Sequence, residues 1–218
     1  MKNTFTLLTA CLVICAACGK SGDRFTKDNG CVEQVTVPAP AHSINPAMVP
    51  TINNLFSKNG IDNSRFRYYR VTHDTLQTQY PPFTKYDRYV IRVDQYTNGV
   101  RIFYGEMIFH FLNDSLSYQS DNLTKGTTLD TVPKLSIRQL RKLFLDDLQR
   151  FDNARNKYNG VCFKCEFGYY NLNIGKHNAP EQLVKAWRVT PKDHEYPVAF
   201  YKDDNRGLIR YDNGIIIN

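Results

Sequence analysis

The residues of this sequence best suited to chemistry are its cysteines. Two of them stand in the spacing Cys162-Phe163-Lys164-Cys165, which suits a redox pair or half of a zinc site. A redox pair of this kind lies at a helix start, whereas residues 166–170, Glu-Phe-Gly-Tyr-Tyr, favour continued strand. No second pair with zinc-ligand spacing follows. We therefore expect a structural disulfide or buried thiols, and three pairings stay open: Cys31 with Cys162, Cys31 with Cys165, and Cys162 with Cys165.

The histidines exclude a zinc peptidase of the His-Glu-x-x-His type. Such a site needs two His four residues apart on one helix face, and no two of the five His, at positions 42, 73, 110, 177 and 194, have that spacing. The sequence also lacks a Gly-x-Ser-x-Gly elbow and a Gly-x-x-x-x-Gly-Lys-Ser/Thr phosphate loop. We expect no catalytic residues, no metal site and no cofactor, and hence a protein that is not an enzyme.

The composition indicates a folded protein rich in strands. Of the 218 residues 42% are hydrophobic and 22% charged, which is close to the globular average. The 14 Tyr and 13 Phe favour sheets over helices. A net charge of +7 is a surface property first, and the basic runs at 65–70 and 138–142 are too sparse to predict a nucleic-acid partner.

The first residues predict export. Met1-Lys2 gives a positive start, residues 5–17 are uncharged and mostly apolar, and the segment is too short to span a membrane as a mature helix. Cys15-Ala16-Ala17-Cys18 resembles a bacterial lipobox, which implies cleavage after residue 17 and a lipid on Cys18. The alternative is an ordinary secretory signal. We expect a lipid-anchored cell-envelope protein at the outer membrane, on its periplasmic or surface face.

The first half of the mature chain predicts a tether, a helix and a meander. Residues 18–45 hold Gly, Pro and small polar residues without a period, which is typical of a tether. Asn45-Pro46 is a helix start and Gly60 a helix stop. Strands are predicted near 65–72, 88–96, 100–104, 106–112 and 116–120, with a loop over 74–87 around Pro81-Pro82. Asn98-Gly99 between two strands predicts a type I′ hairpin turn.

The second half predicts one long helix and four strands. Ser136 can cap a helix whose apolar residues recur at spacings of three and four residues: Ile137, Leu140, Phe144, Leu148 and Phe151. Strands follow near 161–172, 181–190, 197–202 and 207–211. The predicted fold class is α+β, with two small modules at 46–123 and 136–218, each an antiparallel sheet packed with one or two helices, and a linker at 124–135.

Two stretches resemble known pro-region modules. Residues 93–106, Val-Asp-Gln-Tyr-Thr-Asn-Gly-Val-Arg-Ile-Phe-Tyr-Gly-Glu, are similar to the FTP domain, the first propeptide module of thermolysin-like and fungalysin metallopeptidases, with Tyr104 in place of one Gly and His110 on the next strand. Residues 136–217 resemble a PepSY domain. Leu183-Val184-Lys185-Ala186-Trp187-Arg188-Val189 stands for its Leu-Ala-Trp-x-Val strand, and residues 201–209 stand for its Val-Asp-Ala-x-x-Gly-x-Ile/Leu turn.

The resemblance implies a role in binding a peptidase. In that family the pro-region folds first, assists folding of the peptidase and blocks its cleft, and this chain stops where the peptidase would begin. We expect a non-catalytic protein that binds an exported metallopeptidase in trans and inhibits it or assists its folding. The alternative is a structural or ligand-binding surface lipoprotein on the same scaffold. An apolar pocket under helix 136–151 would favour the alternative, and a bare strand edge would favour the first reading.

Three triplets resemble the O-glycosylation sequon of exported Bacteroidota proteins. They are Asp74-Thr75-Leu76, Asp114-Ser115-Leu116 and Asp130-Thr131-Val132, and all fall in predicted loops or turns. Thr75, Ser115 and Thr131 are therefore candidate glycosylation sites. Asp and Thr are also ordinary turn residues, so local structure alone is the competing explanation.

Overall fold

The protein has a mixed α+β fold, as predicted, in which a sheet dominates and helices are few. A computed structural model describes residues 27–28, 32–35, 41–121, 123–176 and 179–215. The strands of these residues form a sheet of eleven strands. They are β1 Lys27–Asp28, β2 Val32–Val35, β3 Phe66–Gln77, β4 Lys85–Thr97, β5 Val100–Phe103, β6 Met107–Leu112, β7 Ser115–Gln119, β8 Phe163–Asn171, β9 Leu183–Pro191, β10 Val198–Lys202 and β11 Leu208–Asp212.

The helices are α1 Val49–Lys58, α2 Ile137–Asp152 and the short α3 Arg155–Tyr158, with a 3₁₀ turn at Pro46–Met48 before α1. Among the described residues no helix is long and apolar enough to cross a membrane. Helix α2 begins where the sequence predicts, whereas the predicted start at Asn45-Pro46 begins the 3₁₀ turn and α1 follows three residues later. The Asn45 side chain accepts a hydrogen bond from the Ala47 N–H, and Ser136 forms a capping box with Gln139.

Helix α1 covers one face of the sheet β3-β4-β6-β7. Ile52, Leu55 and Phe56 are buried on its inner face, and the Phe56 ring lies 4.8 Å from that of Phe109 on β6. Helix α2 covers β8 to β10 in the same way. Its buried side chains Ile137, Leu140, Phe144, Leu145 and Leu148 pack on a face that includes the fully buried Trp187.

The predicted turn at Asn98-Gly99 is confirmed, and the predicted loop over 74–87 is not. Asn98 and Gly99 both have positive φ, 52° and 72°, which is the conformation of the predicted type I′ turn. The predicted loop over 74–87 is wrong, because β3 and β4 stay paired out to Gln77 opposite Lys85. Both faces of this stretch meet water, so its sequence lacks the alternation that reveals a half-buried strand.

The two predicted modules are joined in one sheet. On one edge of β8, Phe163 to Glu166 pair with β2 and Tyr169 to Tyr170 pair with β5, and both pairings are parallel. The expectation of purely antiparallel sheets is therefore wrong, and a division into two modules is not clear. Residues 32–35 belong to the sheet, so the prediction of a tether over 18–45 is also wrong for them.

The predicted linker is bound to both halves. The Thr124 N–H donates to Gln95 Oε1 on β4, while the N–H groups of Lys134 and Leu135 donate to the carboxylate of Asp203. Trp187 Nε1 donates to the same carboxylate. Residues 124–135 therefore pack as part of the fold.

Candidate functional site

A groove of about 430 Å³ opens on the face of the sheet opposite α2, where the two halves meet. On β9 and β10 the side chains that face α2 are those of Trp187, Val189, Ala199 and Tyr201. The alternate residues Arg188, Val198 and Phe200 point to the other face of the sheet and line the groove. The lining residues are Asp94, Arg101, Phe103, Tyr104, Glu106, Arg188, Glu195, Tyr196, Val198 and Phe200.

The floor of the groove is aromatic. Phe103 and Phe200 are buried with ring centroids 5.3 Å apart, and the Tyr104 ring lies 5.2 Å from that of Phe200. The Arg210 guanidinium lies over the outer part of this cluster, 5.2 Å from the Tyr104 centroid. Tyr104 and Tyr196 remain 41% and 48% exposed, so they form apolar walls that water still reaches.

Tyr104 has a strained backbone. Its φ of 57° lies in the left-handed region, which costs a non-glycine residue about 1 kcal/mol or more. This is the position where the sequence carries Tyr in place of the Gly of the FTP pattern. Burial raises the pKa of its hydroxyl against the opposing effect of Arg210, so the ring stays neutral. This left-handed conformation places the aromatic ring of Tyr104 at the wall of the groove.

Charges of alternating sign cross five strands beside this floor. They form a charge ladder: Arg67 on β3, Asp94 on β4, Arg101 on β5, Glu166 on β8 and Arg188 on β9. Consecutive members approach to 3.7, 2.8, 3.4 and 3.7 Å. The two carboxylates are nearly buried, with side chains 10% and 8% exposed. Each lies between two guanidinium groups, which is the arrangement that makes buried charge tolerable.

Arg101 is the middle of the charge ladder and links the halves. Burial works against its charge, but Glu166 and then Asp94 raise its pKa overall. Arg188 at the end of the ladder is 32% exposed, and its 3.7 Å ion pair with Glu166 is longer than a hydrogen bond. Arg188 can therefore donate to an anionic or carbonyl group bound in the groove.

A bare strand edge lies beside the groove. Within the described residues β11 pairs only with β10, and its Arg210 guanidinium lies 5.2 Å from the ring of Tyr104, which lines the groove. Two other edge strands are partly closed: the Leu116 N–H on β7 donates to Asn59 Oδ1, and the Tyr68 carbonyl on β3 accepts from the Ser43 N–H. On the opposite face of the sheet α2 packs directly, with the Phe144 and Phe163 rings 5.1 Å apart.

The cysteines do not form a redox pair. Cys165 is a free, fully buried thiol in the core under α2, and burial raises its pKa, so it is poor in reactive thiolate. Cys162 is disulfide-bonded. The open pairings that use Cys165 are therefore not formed, and the partner of Cys162 lies outside the described residues. Cys18 and Cys31 also lie there, as does the predicted signal peptide.

The candidate glycosylation residues Thr75, Ser115 and Thr131 are all exposed. Thr75 lies on β3 and not in the predicted loop. The preceding aspartates are engaged: Asp74 pairs with Arg88, Asp114 with Lys58 and Asp130 with Lys185. Their glycosylation stays a prediction.

In the part of the chain that the structure describes, no group of three or more His, Cys, Asp and Glu is placed to hold a metal ion. His110 is half-buried and its ring packs edge-on against Tyr118, 5.3 Å away. The candidate site that the sequence does not predict consists of the groove and the charge ladder. One signal was visible, the Tyr at 104 where the FTP pattern has Gly.

No family model matches the chain, and no curated protein matches it. A solved structure, the C-terminal domain of YpeB from Bacillus megaterium, aligns with 84% of this chain and 70% of its own at 19% identity, with a TM-score of 0.34.

Proposed function

We propose that this protein is a non-catalytic, lipid-anchored envelope protein that binds an exported metallopeptidase in trans and inhibits it or assists its folding. A sequence resemblance and a structural feature support the proposal. The sequence resembles the FTP and PepSY modules of metallopeptidase pro-regions and contains no His-Glu-x-x-His motif. The observation that carries it is the aromatic groove beside the bare edge of β11.

The groove and the edge suit an extended segment of a partner protein. A strand added to β11 gains main-chain hydrogen bonds. It would lie three strand spacings, about 14 Å, from β9, so residues that flank this strand on the same partner segment would enter the groove. An apolar side chain would pack on the aromatic floor. A carboxylate or carbonyl on the same segment would meet Arg188 at the end of the charge ladder.

The test is binding to thermolysin-like peptidases, above all one encoded nearby, followed by the effect on their activity and refolding yield. Tyr104→Asn removes the aromatic wall, and Asn tolerates positive φ, so the fold should persist. We expect it to weaken binding by roughly tenfold. Tyr118→Asn is the matched control, since Tyr118 on β7 is similarly exposed at 54% and is not among the groove-lining residues.

Absence of binding, with no change in activity or refolding yield across such peptidases, would sink the proposal. Equal losses for Tyr104→Asn and Tyr118→Asn would keep a peptidase partner but remove the groove as its site.

A second candidate is a ligand-binding surface lipoprotein. The observation that favours it is the size of the groove, since about 430 Å³ falls in the range of small-molecule sites. A compound with an aromatic ring and an acidic group would fit the floor and Arg188. Saturable binding of such compounds, lost in Tyr104→Asn and without any response from peptidases, would favour this second function.

A further inference from the structure

The hairpin β3–β4 continues as a projecting arm, which we define as residues 73–87. Strand β6 reaches along β4 only as far as Arg88, opposite Leu112, and Asn113 then forms hydrogen bonds with the backbone of Asp87. Beyond Asp87 the arm has two strands and no third strand beside it among the described residues. Its seven or eight residues per side correspond to a projection of about 20 Å. Most of its side chains are exposed on both faces.

The base of the arm is fixed by polar contacts. Arg88 donates to both carboxylate oxygens of Asp74, at 2.7 and 2.6 Å. His73 Nε2 lies 2.7 Å from Asp87 Oδ1, and its ring stacks on Tyr89 at 3.9 Å. A two-stranded hairpin is marginal in water by itself, so these contacts stabilise an element that packing does not.

The tip of the arm is ordered by one side chain. Thr78 Oγ1 donates to the Pro82 carbonyl at 2.9 Å and accepts from the Thr84 N–H at 2.9 Å. The Thr78 N–H donates to the Thr84 carbonyl at 3.0 Å, and Pro81 and Pro82 have no N–H to satisfy. These bonds therefore hold the side chains of the tip in a defined arrangement. The backbone groups that they satisfy would keep their partners if the tip were buried.

The side chains presented at the tip are apolar and aromatic. Tyr80 is 78% exposed and Phe83 62%, among the most exposed large apolar side chains of the described residues, and Leu76 nearby is 37% exposed. No Asp or Glu occurs between Thr75 and Tyr86, while Lys85 is exposed. Neighbouring exposed apolar rings at the end of a rigid projection mark an interaction site.

We infer that the arm inserts its tip into the headgroup region of a lipid membrane with anionic character. Tyr and Phe rings are favoured at that depth, and Lys85 attracts anionic headgroups. The absence of carboxylates from the tip avoids both repulsion and desolvation. The internal hydrogen bonds of Thr78 satisfy the carbonyls of Pro82 and Thr84 and the N–H of Thr84, which lowers the cost of moving the tip into a less polar region.

The experiment places a fluorescent reporter at the tip of the full chain. Phe83→Trp adds an exposed indole, while the single native Trp187 is fully buried and constant. With vesicles of phosphatidylethanolamine and phosphatidylglycerol, the emission of the added indole should shift to the blue and be quenched by bromine on the acyl chains. Tyr118→Trp is the matched control, and its emission should not change. Any anchoring through residues 1–18 is common to both variants.

A second variant measures the strength of the contact. Tyr80→Asp in the Phe83→Trp background adds a carboxylate to the tip, and the lipid concentration for half of the emission shift should rise by roughly tenfold. If the emission of the Phe83→Trp variant does not change on vesicles, the inference is overturned. It is also overturned if the added indole stays hydrated on vesicles and its emission shifts only when a protein partner is added.

Discussion

At the residue scale, Asp203 joins the segment 124–135 to the second half of the fold. Its side chain is fully buried. It accepts hydrogen bonds from the N–H groups of Lys134 and Leu135 and from Trp187 Nε1, and Lys185 Nζ lies 3.6 Å away. A carboxylate surrounded by this many donors is stable in the interior, and each donor depends on it in turn.

We expect Asp203→Ala to destabilise the protein by about 3–5 kcal/mol, because it leaves three N–H groups without an acceptor, and those of Leu135 and Trp187 are buried. Asp203→Asn, which keeps one acceptor oxygen, should lose less. Urea unfolding followed by Trp187 fluorescence measures both. The exposed neighbour gives the control, Asp204→Ala, which should stay within about 0.5 kcal/mol of the parent. Similar losses at the two positions would contradict this role of Asp203.

At the element scale, Gly168 on β8 allows β5 to pair with it. A Cβ at this position would lie 2.7 Å from ring carbons of Phe103 and 2.8 Å from the Arg101 carbonyl oxygen. Both contacts are closer than real Cβ atoms show, and one of them is to backbone. Only a glycine lets β5 approach here, so this residue is where the meander of the first half joins the sheet of the second.

Gly168→Ala should therefore loosen the junction and destabilise the fold by about 1–3 kcal/mol. The matched control is Gly160→Ala, because nothing lies within 4 Å of a Cβ there. Urea unfolding gives the stability, and limited proteolysis should find new cleavage between β5 and β6 in the Gly168 variant alone. Equal stability of the two variants would show that β5 can shift without loss.

At the scale of the whole molecule, the charge ladder, the parallel pairings of β8 and the bound segment 124–135 all connect the two halves. We therefore expect the protein to unfold as one cooperative unit. Hydrogen exchange of β6 amides reports on the first half, and Trp187 fluorescence reports on the second. The two should give the same urea midpoint in the parent, whereas separate midpoints would mean two independent domains.

Elements with local signals could be predicted from the sequence. Caps at Asn45 and Ser136 and the Asn98-Gly99 turn act through backbone groups only a few residues away, so their outcome does not depend on the rest of the chain. The α+β class followed from local patterns of the same kind. The sequence did not show whether Cys165 forms a disulfide. In the structure it is a free thiol buried in the core, and the spacing of two cysteines does not encode such burial.

Only the tertiary structure decided which strands meet. Ile102 pairs with Tyr169 and Val32 with Phe163, and nothing in the local period of a strand names a partner so far along the chain. The groove and the charge ladder exist because these pairings bring β5, β8 and β9 side by side. The arm could not be predicted from the sequence for a different reason. A hairpin with water on both faces has no hydrophobic alternation, so only the hydrogen bonds between its strands define it.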